Sequence, residues 1–91
     1  MAKLTPTQIR DALETLNDWT QDGDAIHKQY SFDGFAAAIT FVNRVAELAE
    51  EADHHPDIDI RYNKVTLVLS THSAGGLTNK DVVLAQQTEA L

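Results

Sequence analysis

Ninety-one residues, 43% of them hydrophobic, suit one domain with one core, spanning residues 1–91, and a chain this short gains from oligomerisation in burying apolar surface. A net charge of −7 disfavours a nucleic-acid phosphate surface as a direct partner, and the absence of cysteine excludes a disulfide framework or a thiolate metal site. With no secretory signal and no apolar run near the roughly 18 residues a membrane span needs, the expectation is a soluble, cytoplasmic protein.

The first expected element is a helix over residues 4–16. Thr5 is placed as N-cap, Pro6 at the first helical position, and Gln8 to complete a capping box. Ile9, Leu13 and Leu16 line one face, and Asn17-Asp18 closes the helix. Trp19-Thr20 then starts a short strand, residues 21–24 turn, and residues 25–32 return as a second strand. Ile26, Lys28, Tyr30 and Phe32 share one side of it; His27, Gln29 and Ser31 share the other.

Asp33 is the expected N-cap of a long helix reaching about residue 52. It carries two adjacent apolar stripes. Phe35, Ile39, Val42, Ala46 and Ala49 form one; Ala38, Phe41, Val45, Leu48 and Ala52 form the other. Together they are wider than one core-facing surface helix needs, so one stripe is expected on the sheet and the other against a second subunit or the other helices.

Residues 57–62 and 65–71 alternate as strands, with Asn63-Lys64 expected as a two-residue hairpin turn. That register pairs Tyr62 with Val65, Ile60 with Leu67 and Ile58 with Leu69. Extended, it sets His55 opposite His72, where Cβ atoms would lie roughly 5 Å apart. After a tight loop at residues 73–76, Thr78 caps the last helix with Asp81 in its first turn, and Val82, Val83 and Ala85 are expected inward. The whole reads α-β-β-α-β-β-α: an α+β fold with a four-stranded, mainly antiparallel sheet and three helices packed on one face.

The chemistry concentrates between residues 50 and 81, where three of the four histidines lie. Imidazole titrates nearest neutrality and can both give and take a proton. His54, His55 and His72, with Glu50, Asp53 or Asp81 nearby, could therefore move protons on and off a bound small molecule. The same histidines with Glu50 offer zinc-type ligands, but none of the i,i+4 helical spacing that makes such motifs specific, and no metal is expected.

The run Glu50-x3-His54-His55-Pro56-x5-Tyr62-x9-His72-x8-Asp81 resembles the signature of the pterin-4a-carbinolamine dehydratases. Trp19, the segment from Ile26 to Phe32, Phe35, Phe41, Arg44-Val45, Tyr62-Asn63-Lys64-Val65 and the stretch from Gly76 to Asp81 extend the resemblance from about Leu4 onward. Ile58 departs from it, standing where many relatives carry an aromatic. The resemblance implies a hydro-lyase that removes water from 4a-hydroxytetrahydrobiopterin, the product of an aromatic amino acid hydroxylase, within tetrahydrobiopterin recycling. It implies no cofactor and a homodimer or homotetramer.

His54, His55 and His72 are the implied catalytic residues. His55 and His72 are assigned to proton transfer and His54 to binding or orienting substrate. Asp53, Ser70, Thr71 and Ser73 match positions lining the pterin pocket; Glu50 could orient a histidine, and Trp19 matches a tryptophan near the pterin. Relatives that act as a dimerisation partner of a transcription factor or as assembly factors make a non-enzymatic binding module the alternative.

Overall fold

Local capping and turn chemistry divide the chain into the expected seven elements. The computed structural model describes residues 2–91. In chain order these are α1 (Pro6–Glu14), β1 (Thr20–Asp22), β2 (Ala25–Ser31), α2 (Phe35–Ala52), β3 (Asp57–Arg61), β4 (Lys64–Leu69) and α3 (Asn79–Glu89), with a short 3₁₀ turn (His72–Ala74) between β4 and α3. The strands form one antiparallel sheet in the order β1-β2-β4-β3. The α+β architecture read from the sequence is the one observed. Among the described residues no helix is long and apolar enough to cross a membrane.

α1 begins as its sequence dictates. Thr5 N–H donates to Gln8 Oε1 at 2.9 Å, and Gln8 N–H donates to Thr5 Oγ1 at 3.2 Å. It stops at Glu14, short of residue 16, with Thr15 as C-cap, whose hydroxyl donates to the Ala12 carbonyl at 2.7 Å. That local bond competes with helix continuation. Leu16 is buried just beyond the helix end. β1 and β2 are joined by Gly23-Asp24, where Gly23 takes a φ of 61°, and Asp22 pairs with Ala25.

α2 starts one residue later than the Asp33 reading requires. Gly34 is the N-cap, and no side chain caps it. Of the two stripes, the second meets the core: Ala38, Phe41 and Val45 are buried, joined by Ala49. Ala52, expected in that stripe, is exposed. The first stripe is left partly open, with Phe35 53% exposed. Phe41 wedges against the strand β2 side of the core, its ring centroid 4.6 Å from Tyr30 and 5.0 Å from Phe32. Under α2 lie Ile26, Val65, Leu67 and Leu69, all essentially inaccessible. Each such side chain contributes about 1.5–3 kcal/mol by leaving water.

The β3–β4 hairpin corrects the expected register. Arg61 pairs with Lys64, Ile60 with Val65 and Ile58 with Leu67, so the loop residues are Tyr62 and Asn63. Asn63 is anchored elsewhere: its Nδ2 donates to the Phe32 carbonyl at 2.8 Å, and Phe32 N–H returns a bond to Asn63 O at 2.9 Å. Tyr62 takes the positive φ of 53° instead. The register moves by two residues, so every side chain keeps its expected face.

α3 has its capping box at Thr78 and Asp81. Its buried row is Asp81, Leu84, Ala85 and Thr88, the i, i+3, i+4, i+7 pattern of one helical face. Val83, expected inward, is 41% exposed. Ala85 is buried as expected and Val82 half-buried; two of the four buried positions are polar, so apolar periodicity alone did not define the face. Thr88 is satisfied by donating to the Ala85 carbonyl at 2.9 Å and by a 3.1 Å contact with the Tyr30 hydroxyl.

Candidate active site

The site is assembled where three chain reversals meet. α2 ends with Asp53 in the left-handed conformation, φ 50° and ψ 43°. Asp53 N–H bonds Glu50 O at 3.3 Å and His54 N–H bonds Ala49 O at 3.1 Å, the paired closure of a helix that turns away sharply. This closure throws His54 and His55 clear of the helix. Pro56, lacking an N–H, then precedes β3. Opposite, the chain leaves β4 through Ser70 and Thr71, and Thr71 bridges to Gly76 around the His72–Ala74 turn. The third reversal is the start of α3.

Two histidines are held by carboxylates. His54 Nε2–H donates to Asp81 Oδ1 at 2.5 Å, with the His54 side chain 10% exposed and Asp81 wholly buried. A carboxylate only accepts, so this bond places the His54 proton on Nε2 and leaves Nδ1 as its other ring nitrogen. Asp81 Oδ2 accepts two further bonds, from Thr71 Oγ1 at 2.8 Å and from Thr78 N–H at 2.9 Å. His55 Nε2 meets Glu50 Oε2 at 2.6 Å on the surface, where both side chains are mostly solvated. The ring of His72 makes no hydrogen bond among the described residues.

Asp53, His54, His55, Ser70, Thr71, His72, Ser73 and Lys80 line one open cleft of about 310 Å³. Small-molecule sites run from roughly 300 to 1,000 Å³, so this one admits a ligand the size of a bicyclic heterocycle. Imidazoles, hydroxyls, one carboxylate and one ammonium give it donors, acceptors and groups able to exchange protons. Among the described residues, no group of three or more His, Cys, Asp or Glu is arranged to hold a metal ion.

The family described as pterin 4 alpha carbinolamine dehydratase matches residues 2–91. The chain belongs to that family. A protein of Thermomicrobium roseum, provisionally named as a pterin-4-alpha-carbinolamine dehydratase, is 52% identical over 91 residues, covering 100% of this chain and 98% of its own. The crystal structure of a transcriptional coactivator/pterin dehydratase from Brucella melitensis superposes with a TM-score of 0.94 at 34% identity, covering 97% of this chain and 96% of that one. A pterin dehydratase-like RuBisCO assembly factor of the α-carboxysome shares the fold at a TM-score of 0.65 and 22% identity, covering 79% and 83% of the two chains. The family takes its name from a hydro-lyase reaction.

Of the family motif's residues, the three histidines and Asp53, Ser70, Thr71 and Ser73 all reach the same cleft. His55 and His72 meet there without the expected cross-strand pairing, because the ladder begins only at Asp57. Glu50 reaches the cleft only by way of His55. Trp19 is buried in the core and is not among the cleft's lining residues.

Two residues were under-read from sequence. Asp81 has the helix-capping role its position announces, and with the same carboxylate it also clamps His54, 27 residues away. Only the coincidence of that acid with the histidine motif hints at the second role. Lys80 gave no signal at all: a lysine in a first helical turn reads as solvated surface.

Proposed function

We propose that this chain dehydrates a 4a-hydroxytetrahydropterin, with 4a-hydroxytetrahydrobiopterin as its substrate, to the quinonoid dihydropterin. The observation that carries the reading is the gathering of three imidazoles in one ligand-sized cleft, one of them locked in a single tautomer by a buried carboxylate. In the reaction the bond from carbon 4a to its hydroxyl oxygen breaks, and the electron pair leaves with oxygen. The neighbouring ring nitrogen loses its proton and forms the C=N bond. Hydroxide leaves poorly, so an imidazolium protonates it as it departs, and a neutral imidazole accepts the nitrogen's proton.

Each transfer contributes about 10²- to 10⁴-fold in rate. His54, whose Nε2–H is committed to Asp81, has Nδ1 left to accept the ring proton. The resemblance assigns proton transfer to His55 and His72; the buried acid behind His54 supports adding His54 to that role. His55 and His72, on the solvated side of the cleft, supply the acid and return protons to water. Asp53, Ser70 and Ser73 hold the polar edge of the pterin. Substrate comes from an aromatic amino acid hydroxylase, and the product re-enters tetrahydrobiopterin recycling.

The test is stopped-flow dehydration of freshly generated 4a-hydroxytetrahydropterin. Wild type should accelerate it strongly, His54→Ala should lose most of the acceleration, and the double variant His55→Ala/His72→Ala should lose essentially all of it while staying folded. A folded wild type without acceleration would refute the reading.

We also propose a second copy of the chain as its partner, in a homodimer or homotetramer. The support is apolar surface on one flank of α2 and on the free edge of the sheet: Phe35 at 53% exposure, Ile58 at 37% and Ile60 at 38%.

A further inference from the structure

We infer that Thr71 is a positioning residue whose hydroxyl, the last link of a one-way chain of donors, holds Asp81 and through it fixes the tautomer of His54. The inference deepens the proposed dehydratase reading and rests on it. Thr71 lines the cleft, but its hydroxyl is engaged within the protein: Oγ1 lies 2.8 Å from Asp81 Oδ2 and 2.9 Å from Thr78 Oγ1.

A hydroxyl has one hydrogen, and a carboxylate can only accept. Thr71 therefore donates to Asp81, and the Thr78 hydroxyl must donate to Thr71. Thr78 Oγ1 in turn accepts from the Lys80 backbone N–H at 3.3 Å. The direction of every link is thereby set: Lys80 N–H to Thr78, Thr78 to Thr71, Thr71 to Asp81. The other carboxylate oxygen is left for His54 Nε2–H at 2.5 Å. Thr71, Thr78 and Asp81 are all buried, Thr78 and Asp81 completely, so water has no ready access to replace a missing donor.

The chain also explains why the residue is threonine on an exit from a strand. The Thr71 backbone is fixed by its bridge to Gly76, with Thr71 N–H donating to Gly76 O at 3.0 Å. The β-branched side chain has restricted χ1 freedom, which suits a hydroxyl that must point one way. If the hydroxyl is lost, Asp81 keeps the Thr78 N–H on Oδ2 but can rotate, and the Thr78 hydroxyl gains a reason to compete for it. His54 Nε2–H then loses its fixed acceptor, and the imidazole samples both tautomers. Only one of them presents a lone pair at Nδ1.

The experiment compares Thr71→Val, which keeps the shape and deletes the donor, with Thr71→Ser, which keeps the donor. Each variant's thermal midpoint is recorded with its steady-state dehydration kinetics and its ¹⁵N histidine NMR spectrum. The expected result for Thr71→Val is a fall in kcat of about tenfold with KM within twofold, the low end of what outer partners of metal-bound imidazoles contribute. Alongside it, His54 changes from a single Nε2–H tautomer to a mixture, and Thr71→Ser restores both readouts. If Thr71→Val does not fold, Thr71→Ala is read in its place.

A raised KM with unchanged kcat would make Thr71 a substrate contact and overturn the inference. So would a lowered thermal midpoint with kcat, KM and the His54 tautomer all unchanged, which would make the chain a packing feature. The NMR readout needs no turnover. A wild type without dehydratase activity would refute the functional reading, while the His54 tautomer in Thr71→Val would still decide the positioning claim.

Discussion

Asp53 holds a left-handed backbone, φ 50°, that glycine adopts freely and an L-residue adopts at a cost. Asp18 and Tyr62 hold the same conformation away from the cleft, whereas at Asp53 it carries a carboxylate to the cleft's lining. Asp53→Gly should therefore raise unfolding stability by about 1 kcal/mol in urea titrations and at the same time lower kcat/KM for dehydration. A loss of stability would show that the carboxylate has a structural role outweighing the strain. Tyr30 makes the pH argument. Burial raises its phenol above the ordinary value of 10.0; the Thr88 hydrogen bond opposes this and the nearby Glu89 charge adds to it. A raised folded value means the folded state holds the proton more tightly. The contribution is complete below pH about 10 and declines as pH climbs from the unfolded value through the folded one. Tyr30→Phe should flatten this alkaline decline in stability measured from pH 8 to 11. At neutral pH it should cost about 1 kcal/mol for the lost 3.1 Å bond to Thr88.

At the level of elements, the hairpin between β3 and β4 shows what local sequence can and cannot specify. Its turn was expected at Asn63-Lys64 because asparagine tolerates positive φ. The structure uses Asn63 as a tether across to β2 and puts the positive φ on Tyr62. Asn63→Ala should cost about 1–2 kcal/mol in thermal unfolding by leaving the Phe32 carbonyl short of a donor. It should leave kcat unaltered, because the turn is at the opposite end of the hairpin from the cleft. A drop in kcat without loss of stability would contradict this division of labour. Period-2 alternation fixed which side chains face the helices, and it survived a two-residue slip; the slip itself depended on a bond to a residue 31 positions earlier. The same distinction runs through the helices. The caps of α1 and α3 are bonds between neighbours, legible as Thr5 with Gln8 and Thr78 with Asp81. The inward face of α3 was read only in part: Ala85 is buried as expected, but Val83 is not, and Asp81 and Thr88 are buried polar groups whose partners, His54, Thr71 and Tyr30, come from other elements. In the site, the histidines and Asp53 were legible from type and spacing; the clamp behind His54 was not, because satisfaction of a buried carboxylate is a tertiary property.

For the whole molecule the unfinished business is its surface. β3 is an edge strand, so one row of its backbone N–H and C=O groups has no partner within the chain, and edges of this kind invite pairing with another chain. Ile58 and Ile60 project from it toward the helix side, yet remain 37% and 38% exposed. The N-terminal part of the other α2 stripe, with Phe35 53% exposed and Ile39 half-buried, adds further uncovered apolar surface. Self-association would bury both, against the repulsion of two chains each carrying −7. Those opposing terms fix the sign of the salt dependence: screening weakens the repulsion and leaves apolar burial intact, so added salt should tighten the assembly. Sedimentation at micromolar concentration should show a dimer or tetramer in 0.15 M salt and a shift toward monomer at low ionic strength. Ile60→Lys should dissociate it. Losing burial of an isoleucine removes about 1.5–3 kcal/mol, and a two-fold interface counts the change twice, so Kd should rise by about two to four orders of magnitude. A wild-type protein that sediments as a monomer at both salt concentrations would show that this apolar surface serves something other than a second copy. An assembly indifferent to Ile60→Lys would place the interface away from the β3 edge.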